Sequence, residues 1–83
     1  MQDFDKTWFR SLEEKQQAAE RARAILEQAG MREEDIIHFL NNDELIWTVC
    51  RDPERVLTWN DRFPDAPLST SRGARILARI FID

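Results

Sequence analysis

The chain has one cysteine, Cys50, and one histidine, His38, so thiol–imidazole chemistry has a single pair to draw on. A cysteine nucleophile acts as the thiolate and needs a base within reach. Cys50 follows the apolar run Leu45-Ile46-Trp47-Thr48-Val49 and reads as a buried, unreactive thiol. His38 reads as a solvated side chain on the polar face of a short helix. The same two residues exclude an internal disulfide and a closed Cys/His zinc site. Carboxylates are plentiful, but Glu13-Glu14 and Glu33-Glu34-Asp35 fall in helix-forming segments as solvated charges. Glu20–Arg23 and Arg23–Glu27 have the three- and four-residue spacing of helix ion pairs worth a few tenths of a kcal/mol. Ser11, Ser69 and Ser71 lie in no nucleophile motif, and two glycines, Gly30 and Gly73, are too few for a phosphate-cradling loop. The expectation is a protein that is not an enzyme, with no catalytic residue, cofactor, metal or small-molecule ligand assigned.

Recognition fits these residues better than catalysis. There are three tryptophans, and ten of the twelve basic residues are arginine. Trp and Arg are the side chains most enriched in interface hot spots. Trp8, Phe9 and Arg10 at one end of the chain and Arg72, Arg75 and Arg79 near the other are the candidate interaction patch, completed by Ile76, Ile80 or Phe81 and rimmed by Lys6. The expected function is a small interaction module that binds and modulates, or helps assemble, another protein, as a regulator, accessory subunit or inhibitor. A homodimer is a second form of the same reading.

The alternative is a compact helix-turn-helix or winged-helix regulator. Ala22 to Met31 followed by Asp35-Ile36-Ile37-His38-Phe39-Leu40 has a turn glycine and apolar residues in suitable places. Two features oppose it. Leu26 stands four positions before Gly30, where a small residue lets the helices approach, and the would-be recognition helix opens on Arg32-Glu33-Glu34-Asp35, three carboxylates where phosphates would lie. An acidic chain of pI near 5.0 also opposes backbone-driven nucleic-acid binding.

These residues need elements to hold them. Residues 3–29 lack Gly and Pro and are rich in strong helix formers, with Phe4, Trp8, Leu12, Ala19, Ala22, Leu26 and Ala29 forming one seam. Its small middle lets a neighbouring backbone approach, Asp3 or Asp5 is the expected cap, and Gly30 closes it. A second helix is expected over 32–41, with Ile36, Ile37, Phe39 and Leu40 as its apolar face. For 44–60 two readings compete. β-Branched and aromatic enrichment favours a hairpin of strands 45–50 and 55–59, turning at Asp52-Pro53; the same dipeptide can instead cap a helix and occupy its first turn. Leu45 to Asp52 followed by Val56-Leu57-Thr58-Trp59-Asn60 resembles the opening strand pair of a PAS sensor domain, though the 23 residues after Asn60 are too few for the rest of that fold, and no function is carried over. Phe63 to Leu68 is an extended connector, and Ser69, Thr70 or Ser71 caps a final helix over 70–82. The expected fold class is α+β, with an all-α helical bundle as the alternative.

Eighty-three residues provide for one domain, 1–83, since two cores would leave each half below about 40 residues. The net charge of −4 is uneven: residues 1–44 hold eleven acids and six bases, and residues 45–83 hold five acids and six arginines. No stretch approaches the ~18 apolar residues of a membrane span, and Met1 to Lys6 has no secretory apolar run, so a cytoplasmic protein is expected.

Overall fold

The computed structural model describes residues 8–82, in which six helices and no strand occur: α1 Leu12–Gln28, α2 Glu33–Leu40, α3 Asp43–Arg51, α4 Pro53–Leu57, α5 Trp59–Arg62 and α6 Ser71–Ile82. The α+β expectation is therefore corrected. The predicted strands 45–50 and 55–59 are α3 and the α4–α5 turn, and the likeness to a PAS strand pair falls with them.

Local chemistry explains the correction. Asn42 caps α3, its Oδ1 accepting from the N–H groups of Glu44 at 2.9 Å and Leu45 at 3.2 Å, and Asp43 and Glu44 put negative charge at the positive helix end. Leu45, Ile46 and Val49 are the buried side chains, a helical spacing that a strand would split between two faces. Thr48, counted as a strand former, donates its hydroxyl to the Glu44 carbonyl one turn back at 2.8 Å. Pro53 then opens α4 at a position where its missing N–H loses no hydrogen bond.

The first helix begins later than expected. Ser11 accepts from the Glu14 N–H at 3.1 Å, and the Glu14 carboxylate accepts from the Arg10 N–H, a reciprocal cap that leaves Trp8 and Phe9 outside the helix. The expected start at residue 3, its caps Asp3 and Asp5, the seam residue Phe4 and the rim residue Lys6 lie outside the described residues. At the other end Gly30 takes φ +89°, its N–H donates to Glu27 O at 3.0 Å, and the Met31 N–H donates to Leu26 O at 3.1 Å. This is the paired-bond helix ending that a left-handed glycine permits.

One core cluster draws side chains from all six helices. Ala22, Leu26, Ile36, Phe39, Leu45, Ile46, Val49, Val56, Trp59, Ala74, Leu77 and Phe81 are all buried. The small stripe of α1 does admit a close neighbour, for the Cys50 thiol on α3 donates to the Ala18 carbonyl at 3.2 Å. The connector before α6 is pinned by polar groups. Trp59 Nε1–H donates to Ala66 O at 2.7 Å, Asn60 Oδ1 accepts from the Leu68 N–H at 2.8 Å, and Asn60 Nδ2 donates to Ala29 O at 2.9 Å, tying the end of α1 to the connector. Thr70 caps α6 by accepting from the Gly73 N–H at 3.1 Å.

Candidate functional site

The expected patch is built in two pieces on different elements. Trp8 is half-buried and packs against Trp47 of α3 with ring centroids 4.9 Å apart and planes tilted by 43°, and the Arg51 guanidinium lies 4.8 Å over the Trp47 ring. Phe9 is half-buried against the core, and Arg10 is exposed. Arg72, Arg75 and Arg79 are exposed on α6. Helix α1 packs on α2, α3 and α4, whereas α6 packs on α2 and α3. Of the apolar residues offered to complete the patch, Phe81 is buried, Ile76 is half-buried and Ile80 is exposed.

Ile80 faces an open groove of about 110 Å³, whose other walls are Arg55, Trp59, Arg62 and Phe63. That is below the roughly 300–1,000 Å³ of clefts that enclose small molecules. Its floor is rigid. Trp59 is buried, its indole N–H is committed to Ala66 O, and its ring packs on Phe63 at 4.3 Å between centroids. Above that floor Phe63 is 44% and Ile80 43% exposed. Along α6, Arg72, Ile76 and Ile80 follow at four-residue spacing, with Arg75 and Arg79 in the adjacent row. None of the three α6 arginines lines the groove; they share a helix with its Ile80 wall.

The arginines differ in how they are paired, here and elsewhere in the molecule. Arg23 pairs with Glu33 at 2.9 Å and Glu27 at 3.4 Å, and Arg32 pairs with Glu34 and Asp35, each at 3.0 Å. Hydrogen bonding to Glu33 and to Asp35, respectively, raises these two guanidinium pKa values further. Arg55 reaches Asp52 at 3.5 Å, but among the described residues no carboxylate lies within 4.0 Å of the charged groups of Arg62, Arg72, Arg75 or Arg79.

No family model matches this chain, and no curated protein or solved structure matches it. The functional reading therefore rests on the chemistry of the surface itself.

Arg55, Trp59, Arg62 and Phe63 were not among the residues of the expected interaction patch. Read as a return strand, Arg55 and Trp59 share a face that Arg62 and Phe63, beyond the strand's end, do not continue; on α4 and α5 the spacing of four, seven and eight from Arg55 brings all four to one groove. The signal was Pro53 at a first helical position, which the strand reading discounted. The thiol and the imidazole belong to different surroundings. Cys50 is half-buried between α3 and α1, where burial pushes its pKa up against a smaller opposing pull from Arg21, and His38 is exposed on α2. A raised thiol pKa disfavours the nucleophilic form.

Proposed function

We propose that this chain is a small non-enzymatic interaction module that binds another protein through the groove between α4–α5 and α6, and that the arginines of α6 belong to the contact. The observation that carries the reading is the pair Phe63 and Ile80, nearly half exposed over a buried, hydrogen-bonded Trp59. Apolar side chains over a rigid aromatic floor, ringed by arginine, have the composition of an interface hot spot. Trp8 and Phe9, the other half of the patch expected from the sequence, serve in this proposal to hold the approach to α1 against α3. The exposed Glu33 and Glu34 at the start of α2 weigh against a DNA-reading role for that helix. A cytoplasmic setting suits a free thiol, and no helix among the described residues is long and apolar enough to cross a membrane.

The test is affinity capture from the native cell with the wild-type chain beside the double variant Phe63→Asp/Ile80→Asp. Both positions are substantially exposed, so the variant is expected to keep its circular dichroism spectrum. A protein retained by the wild type and lost by the folded variant supports the proposal. Equal retention by both, or no specific retention by either, overturns it.

A further inference from the structure

Arg62 lines the apolar groove, and Arg72, Arg75 and Arg79 are exposed on α6, the helix that supplies Ile80 to it. Phe63 and Ile80 call for an apolar side chain, while Arg62 beside them and Arg72, Arg75 and Arg79 along α6 lack carboxylate partners among the described residues. Arg23 and Arg32 are paired internally, whereas Arg10, Arg21 and Arg51 also lack a carboxylate within 4.0 Å among the described residues, so it is the position of Arg62 at the groove and of the other three on α6 that singles them out. The stripe from Arg72 to Arg79 covers two turns, about 10 Å at 1.5 Å per residue. We propose that the groove accepts an acidic amphipathic helix of the partner protein, one apolar side chain seated between Phe63 and Ile80 and its Asp or Glu residues, one turn apart, on Arg62 and the α6 arginines. This rests on the interaction-module reading and adds the chemistry of the partner.

The geometry sets the recognition terms. A helix lying along α6 repeats its side chains every three or four residues, the same interval that separates Arg72, Arg75 and Arg79, so carboxylates and guanidiniums stay in register over two turns. Arginine suits this role better than lysine because its planar fork takes a carboxylate by two hydrogen bonds. The apolar anchor supplies the affinity, and the charge pairs at the rim select the partner and speed its approach. A basic helix of equal hydrophobicity is repelled by the same four arginines. Duplex DNA offers phosphates but no apolar side chain for the groove, so it uses only part of the surface.

The experiment measures binding of a fluorescent synthetic helix about 16 residues long, with Leu at its apolar positions and Glu on the flanks. Two control helices carry Gln or Lys at every Glu, and a short duplex DNA forms a fourth arm. The chain is tested as wild type, as Arg62→Gln/Arg75→Gln/Arg79→Gln and as Phe63→Asp. The acidic helix is expected to bind at least about tenfold more tightly than the Gln helix, to weaken with salt, and to lose about tenfold or more in both variants. Equal binding of the Glu and Gln helices, no binding of the acidic helix, or tighter binding of DNA than of the acidic helix overturns the proposal. If cellular capture still depends on Phe63 and Ile80 in any of those cases, the interaction module stands and only the acidic-partner chemistry fails.

Discussion

Gly73 shows how a single residue can set the spacing between two segments. It lies in the first turn of α6, and a Cβ placed there would overlap the backbone carbonyl oxygens of Pro67 and Ala66. Two effects of Gly73→Ala oppose each other. Helix propensity favours alanine over glycine by about 1 kcal/mol, whereas overlap with fixed backbone atoms costs about 1–3 kcal/mol or more. The connector has little freedom to retreat, since Trp59 and Asn60 hold Ala66 and Leu68 by hydrogen bonds. Overlap therefore wins, and Gly73→Ala is expected to destabilise the chain by about 1–2 kcal/mol net. Urea unfolding followed by circular dichroism measures this; an unchanged or higher midpoint would show that the connector does move. Gly30 is a different case, because nothing surrounds its missing Cβ and its left-handed φ alone restricts the position.

At the scale of the element, the informative contest is between side-chain composition and capping. Residues 45–50 are rich in strand formers, yet Asn42, Asp43 and Glu44 in front of them supply a helix start, and the buried residues fall at helical intervals. Asn42→Ala removes the acceptor for two backbone N–H groups in a half-buried setting, so α3 is expected to lose about 1–2 kcal/mol. Ser11→Ala, at an exposed helix start with one accepted N–H, is expected to lose less. Comparing the two unfolding midpoints checks the ranking, and equal losses would mean that the Asn42 cap does not decide the helix.

The same contest explains which parts of the fold were legible. The second helix, the Gly30 stop and the final helix could be read from helix-forming runs and their punctuation, although three residues, Ser69, Thr70 and Ser71, were equal candidates for the cap that Thr70 supplies. Asp52-Pro53 has two meanings, a hairpin turn or the first turn of a helix, and only the burial of Val56 and Trp59 together decides between them. Ser11 with Glu14 was a readable cap, obscured by the helix-forming composition that continues on both sides of it. The arginines of α6 were legible as a stripe, whereas the groove beside them was not. It exists only where α4 and α5 stop short of α6, and that gap is a property of packing between segments.

For the whole molecule the question is whether the acidic first part and the arginine-bearing second part stand or fall together. The core gives the physical answer, since α1 supplies Ala22 and Leu26, α3 supplies Ile46 and Val49, and α6 supplies Leu77 and Phe81 to one cluster. Asn60 adds a polar tie between the end of α1 and the connector to α6. A chain this short can spare none of these elements, because either part alone would fall near the ~40 residues at which a core ceases to suffice. The chain is therefore expected to unfold in urea as one cooperative unit, with a slope of about 1 kcal/mol per molar. Trp8, Trp47 and Trp59 report from the approach to α1, from α3 and from α5, and circular dichroism reports on all six helices, which hold 73% of the described residues. Coincident fluorescence and dichroism transitions are the expected result. If Trp59, read alone in a Trp8→Phe/Trp47→Phe background, changes at lower urea while most of the helix remains, the groove it lines does not share the stability of the core. The surface proposed to bind a partner would then be one that the partner helps to fold, and raising the acidic helix concentration should bring the two transitions back together.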